Sequence, residues 1–516
     1  MKYILVSLMV ITSAMAEVRL PNCLSDNMVV QRDLPIRVWG FAANGEKVTV
    51  TFGQRSGQAV ADAQGHWLVT LESLPASATP ASLVLTGKNT ITLTNILVGD
   101  VWLCSGQSNM AWWLNVCDNA KEEIANAKHP GIRFLNITGQ PILPAPGDNI
   151  RSTWAVCTPQ TAKDFSGVGY FFGREIHERI GVPIGLIGSA VGGTSVEAWI
   201  PQDTLFAEPH MKKAADAITA KKAKYEESVK TLPKRLEEWE ILTKKMLEDK
   251  PELAKNPRDL PAKPSTDRKP EEFFSGRYNG IIAPLTNLSI RGVIWYQGES
   301  SNKVLDYRDS FQALIRAWRG KFRQEDMPFL FVQLPRNLPA GAPPQDDPNK
   351  GQHWGPTREA QAAALELPNT GMAIAIDLGD PKSLHPRDKQ PVAHRLALAA
   401  RAIAYGEKDL VYSGPLLEGM TVEGDKIRLR FKHVGSGLMV KGDKLSGFAI
   451  AGKDKKYVWA DAILAPGTAD AVLVSSPTIT QPAMVRHCWG GSPSCALYNK
   501  EGLPAAPFRT GEISPK

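Results

Sequence analysis

The sequence predicts an α/β protein: a parallel-sheet domain flanked by N- and C-terminal β-sandwich-like modules and carrying a charged helical insertion. Three observations predict it. Short alternating strand-like runs recur between turn residues at both ends of the chain. Apolar runs alternate with helical patterns through the middle, the signature of a parallel sheet covered by helices. A Lys- and Glu-rich stretch interrupts that middle part. A chain of 516 residues is also too long for one ordinary core, so several domains are expected.

In order, residues 1–16 read as a signal peptide. Lys2 precedes the apolar run from Tyr3 to Ile11, and Ala14 and Ala16 form a small-residue cleavage site. The run is too short to span a bilayer comfortably, so an exported protein, secreted or periplasmic and free of the membrane after cleavage, is expected. Residues 17–95 form the first β module, with runs such as IRVWG from Ile36, KVTVTF from Lys47 and HWLVTL from His66. Residues 96–206 and 271–406 form the α/β domain. Val98 to Cys104, Pro183 to Gly188, Ile290 to Trp295 and Phe329 to Gln333 read as strands. Gly167 to Ile180, Tyr307 to Phe322, Arg358 to Leu367 and Gln390 to Tyr405 read as helices. Residues 207–270 are the insertion: a helical pattern from His210 to Lys250, then a Pro-, Lys- and Asp-rich tract read as a flexible connector. Residues 407–516 form the second β module.

Charge and cysteines exclude several classes. The formal charge is +7, but residues 211–270 hold 16 Lys and Arg against 11 Asp and Glu. Without that segment and Lys2 the chain is close to neutral, so its basicity does not argue for nucleic acid. Six cysteines in so long a chain make no disulfide scaffold, and their spacing fits no zinc motif. Cys488 and Cys495 flank a turn-rich loop and are a plausible pair, whereas Cys104 lies in an apolar run and reads as a buried free thiol.

Four strand-end loops carry groups with chemical potential. The first, GDVWLCSGQSNM from Gly99, ends a buried strand in a small-residue turn and places Ser108 at the sheet edge where open α/β folds bind ligands. Ser108 reads equally as a helix cap or a nucleophile. The second, IGSAVGGTS from Ile187, has glycines that let backbone N–H groups approach a ligand, as an oxyanion hole, a phosphate site or a plain loop does. The third, WYQGESSN from Trp295, holds Gln297, a possible side-chain donor, and Glu299, an acid or a loop anchor. The fourth, AIDLGDPKSLHPRD from Ala375, holds His385 among Asp377, Asp380 and Asp388. Histidine suits a base near neutral pH, and a carboxylate would orient it. Trp112, Trp113, Trp199 and Trp295 lie near these loops and could stack on sugar rings or fill the core.

The blocks GQSNM, GxxxGGTxxExW, WYQGESxN and HPxDK together resemble the sialate O-acetylesterase family of SGNH-hydrolase-like carbohydrate esterases. The likeness extends to SDNMVVQ from Ser25, YNGIIAP from Tyr278, REAQ from Arg358 and the tail YNKEGLPAAPF from Tyr498, nearly the whole mature chain except the insertion. It implies an SGNH-like fold for the α/β domain and a serine esterase acting on O-acetylated carbohydrates, sialic acids foremost. It further implies Ser108 as nucleophile and His385 as base. The Ser108 N–H, Gly193 or Gly192, and Gln297 would form the oxyanion hole. Gln107, Asn109, Asn279 and Glu299 would bind substrate or shape the site.

Many SGNH hydrolases carry an Asp three residues before the histidine; here that position is Lys382. Asp380 is the candidate third member, with a Ser–His dyad oriented by a backbone carbonyl as the alternative. Such chemistry needs no metal or organic cofactor. Acetylated xylan or another glycan is the rival substrate. A non-catalytic carbohydrate-binding protein is the rival of another class, and the presence of both Ser108 and His385 argues against it. The sequence leaves oligomeric state open.

Overall fold

The computed structural model describes residues 17–137, 139–208, 211–255, 259–300, 307–338, 347–350 and 354–511; residues 1–16, read from the sequence as a signal peptide, lie outside them. Its centre is a largely parallel sheet of β1 (Thr90–Gly106), β2 (His129–Asn136), β3 (Ile184–Gly188), β4 (Gly292–Tyr296), β5 (Phe329–Gln333) and β6 (Thr370–Ile374). The spatial order is β6-β5-β4-β1-β3-β2, all parallel, with the short strand Ala155–Cys157 antiparallel to β2 at one edge. The chain moves to one side of β1 for β2 and β3, then crosses to the other side for β4, β5 and β6. The strand order therefore reverses at β1, and ligands bind such folds outside the carboxyl ends of the strands at the reversal.

These strands are apolar on both faces because both faces are covered. Along β4, Trp295 joins one core while Ile294 and Tyr296 join the other. Helices α2 (Gly167–Ile180) and α6 (Gln390–Ile403) close the second core against Trp102, Ile294 and Leu330. Helix α4 (Tyr307–Phe322) closes the first with Phe311 and Trp318. In sequence the short α1 (Ser108–Ala111) precedes α2, the long α3 (Lys212–Asp249) lies between α2 and α4, and α5 (Gly355–Ala362) precedes α6.

β1 is 17 residues long and belongs to two neighbourhoods. Its first half pairs with Ser77–Thr86 of the N-terminal module and, in parallel, with Val29–Gln31. Its second half pairs with β3 and β4. Asp100, fully buried at the changeover, accepts from Gln31 Nε2 and Arg32 Nε at 3.0 Å each and lies 3.2 Å from Arg291 Nε. The C-terminal residues form antiparallel sheets over their own core of Leu429, Phe431, Ile450 and Val474. Buried Arg358 of α5 fastens them to the centre, donating to Leu334 O, Pro335 O, Gly490 O and Gly491 O. Cys488 and Cys495 are bonded, with Cα atoms 5.9 Å apart, and Cys104 is a buried free thiol.

The connector after α3 departs from expectation. Among its described residues, Trp239 Nε1 donates to Pro261 O, Arg235 Nη2 to Ser265 O, and Asp267 N to Ser228 Oγ. The tract thus runs back along the helix, because its backbone groups find partners there. Among the described residues no helix is long and apolar enough to cross a membrane.

Candidate active site

The turn that carries Ser108 is built by close backbone approach. Gly106 ends β1 with φ 134° and sits so near β4 that a Cβ there would meet Tyr296 O at 2.2 Å, so only glycine fits. Gln107 N then donates to Tyr296 O at 2.9 Å, and α1 starts at Ser108. The second block folds over the same edge: Ser189 N donates to Cys104 O and Val191 N to Gly106 O. A Cβ on Gly192 would lie 3.3 Å from Ser108 Cβ, so Gly192 borders the hydroxyl directly. Gly193 takes φ 68° just beyond.

His385 comes from the loop after β6, and its Nε2 lies 2.8 Å from Ser108 Oγ. Two side chains 277 positions apart thus meet at the reversal of strand order. Trp112 stacks on the imidazole with ring centroids 4.8 Å apart at 15°. Ser383 Oγ bridges the His385 N–H and carbonyl at 3.2 Å each. Burial, and then the Lys389 charge, hold the imidazole below its ordinary value and so favour the neutral form that can take a proton.

The other expected residues divide. Gln107 ties the turn to the third block, accepting from Ser300 N at 3.2 Å and donating to Ser300 Oγ at 3.3 Å. Gln297 is fully buried; Tyr307 Oη donates to its Oε1 at 2.8 Å and its Nε2 donates to Thr194 O at 3.2 Å. That fixes the amide and leaves one N–H for another acceptor. Asn109 donates to the Glu299 carboxylate and, at 3.0 Å, to Leu384 O. Burial pushes the Glu299 carboxyl above the usual carboxylate range.

Asn279 lies apart, donating to Leu143 O at 3.0 Å and holding that loop. Asp380 is a correction. It is exposed, and its carboxylate accepts from Lys382 N at 2.8 Å, closing its own turn where contact with His385 was expected. Asp377 pairs with Arg395. Trp199 and Trp295 are core residues with no exposure, so neither can stack on a ligand. Trp113 is 49% exposed, and Val116 and Leu384 are exposed too; a shallow depression lined by Asn115, Asp118, Lys121 and Arg387 has neither Ser108 nor His385 in its wall. A cavity of about 680 Å³ lies elsewhere, against Phe448, Trp459 and Trp489; neither Ser108 nor His385 lines it. Among the described residues no cluster of His, Cys, Asp and Glu could hold a metal ion. Sequence reasoning missed the Trp112 stack and Lys389, which donates to Asn109 Oδ1; the K of HPxDK was the available signal.

A hydroxyl bonded to an imidazole at the carboxyl edge of a parallel α/β sheet is an arrangement able to carry hydrolysis of the serine–histidine type. The family model for the sialic acid-specific acetylesterase carbohydrate esterases matches residues 98–232 and 273–402. The sialate O-acetylesterases of Pongo abelii and Homo sapiens are each 30% identical, over 95% of this chain and 92% of their own length. A carbohydrate acetylesterase from Xanthomonas citri, known as a crystal structure, is 32% identical, covers 96% of this chain and 100% of its own, and has a TM-score of 0.78. The chain belongs to the sialic acid-specific acetylesterase family and is a carboxylic ester hydrolase.

Proposed function

We propose that this protein removes acetyl groups from carbohydrate hydroxyls, O-acetylated sialic acids foremost, through an acetyl-Ser108 intermediate. The 2.8 Å contact between His385 Nε2 and Ser108 Oγ carries the reading. His385 takes the Ser108 proton as Oγ attacks the acetyl carbonyl. The oxyanion is held by the Ser108 N–H, the N–H of Gly192 or Gly193, and the second N–H of Gln297. The tetrahedral adduct collapses, the sugar oxygen leaves with the proton from His385, and water activated by His385 then releases acetate. Exposed Trp113, next in the chain to the Trp112 that covers His385, offers a face for the sugar.

The pair works as a dyad whose imidazole is placed by Trp112 and the loop backbone; Asp380, closing its own turn, supports no catalytic step. The Xanthomonas citri enzyme, described only as acting on carbohydrates, favours a second substrate reading, acetylated xylan or another glycan. Residues 1–16 are removed on export, and 17–95 and 407–516 act as sandwich-like frames around an SGNH-like esterase domain of 96–206 and 271–406.

The test is acetate release from 4-nitrophenyl acetate by wild type, Ser108→Ala and His385→Ala. Each variant is expected to lose about 10⁴-fold or more; wild-type rates in Ser108→Ala would overturn the reading. O-acetyl sialic acid and acetyl-xylan run side by side then choose the substrate.

A further inference from the structure

The esterase chemistry above gives no task to Lys389. This lysine is 1% exposed and immediately precedes α6. Its ammonium donates to Oδ1 of Asn109, the residue after the nucleophile. Asn109 Nδ2 donates in two directions, to the Glu299 carboxylate and to the carbonyl of Leu384, the residue before the base. An ammonium only donates, while a carbonyl only accepts. The Asn109 amide therefore has one satisfied orientation. Reversing it would set its NH₂ against the ammonium and its oxygen against Leu384 O. The ammonium also lies 5.8 Å from the Trp112 ring centroid and 5.5 Å from that of Tyr296, and Trp112 is the ring that covers His385.

We propose that Lys389 is a positioning residue that locks the Asn109 amide, so that the turn bearing Ser108 is clasped to the loop bearing His385. The proposal rests on the serine–histidine reading and deepens it. The clasp is a buried ammonium and a buried carboxylate bridged by one amide, which explains why a lysine is kept where water is excluded. Its surroundings are mixed: the Glu299 carboxyl acts across the amide, Asp388 precedes it in the chain, the Cys117 thiol faces it, and His385 stands on its own loop. Burial brings Lys389 itself down to about 8, with Cys117, Glu299 and Asp388 opposing. Below that pH its positive charge disfavours a second cation on the imidazole and holds His385 in the form that accepts a proton.

The experiment uses the full chain and 4-nitrophenyl acetate, with kcat normalised to the burst of 4-nitrophenol so that only folded sites are counted. Lys389→Met keeps the apolar stem and removes the charge. It is expected to lower kcat about 10- to 100-fold with KM within about twofold. It also moves the acidic limb of kcat/KM to higher pH, because the imidazolium is no longer opposed. A wild-type kcat, or a fall in kcat with that limb unmoved, overturns the proposal. Should Lys389→Met fail to fold, Asn109→Ala cuts the clasp from its other end and leaves the charge. There kcat falls, KM holds and the limb stays; a wild-type kcat overturns the proposal. Ser108→Ala in parallel separates the two ideas. An active Ser108→Ala sinks the serine reading, whereas an inactive one beside a wild-type-like Lys389→Met sinks only the clasp.

Discussion

Replacing Trp112 by Ala tests how the His385 ring is held, since no carboxylate among the described residues is bonded to it. The indole covers one face of the His385 ring at 4.8 Å and is itself fixed by an Nε1–H bond to Val116 O at 3.3 Å. A stacked aromatic pair contributes about 1 kcal/mol beyond its buried area. If that holds the imidazole on line with Ser108 Oγ, its loss lowers kcat/KM roughly fivefold, since 1.36 kcal/mol corresponds to about tenfold. A second effect depends on pH. Burial is the foremost reason that His385 sits below the ordinary imidazole value. Stripping the indole lets water reach the ring and returns its pKa upward, so the acidic limb moves to higher pH. The loss at pH 5.5 is therefore greater than the loss at pH 8, where both proteins hold a neutral imidazole. The assay is kcat/KM for 4-nitrophenyl acetate across about pH 4.5 to 9, with Trp112→Phe as the ring-retaining control. A ratio of variant to wild type that stays constant with pH, or an unchanged rate, refutes the reasoning.

Two further outcomes follow from packing and charge. Gly192→Ala places a methyl 3.3 Å from Ser108 Cβ, and the nucleophile must give by a few tenths of an ångström; kcat/KM should fall about tenfold with Tm unchanged, measured by steady-state kinetics and thermal unfolding. Asp100→Ala removes the acceptor shared by Gln31 and Arg32 and approached by Arg291. Both arginines keep some access to water, so the cost is about 3 kcal/mol, the low end for a buried pair. In a chain this long that is a fall of about 3 °C in Tm, read by circular dichroism.

Much of the central fold was legible because its patterns are regular. The helices at Gly167–Ile180 and Tyr307–Phe322 and the strand at Phe329–Gln333 fall where periodicity and apolar runs predict them. The meeting of Ser108 with His385 was legible through motif order, since strand-end loops of one parallel sheet share an edge. What a loop carboxylate bonds to is set by a few degrees of backbone rotation, and so Asp380 was misjudged. The tract after α3 has no periodicity to betray that it lies back on the helix. Trp112 was read as a possible sugar platform because sequence shows an aromatic near a motif but not which ring it faces. Lys389 escaped notice because a lysine in a polar loop reads as solvated until its burial is seen.

The 17-residue strand that runs to the Ser108 turn joins the amino-terminal sheet to the site. One strand is laced at its head into the outer sheet and carries the Ser108 hydroxyl just beyond its tail. Within that strand Asn95 takes φ 55°, a left-handed turn at the changeover between the half paired with Ser77–Thr86 and the half paired with β3 and β4. The amino-terminal sheet therefore cannot be exchanged like an appendage: a chimera spliced at residue 95 cuts through the strand that leads to Ser108.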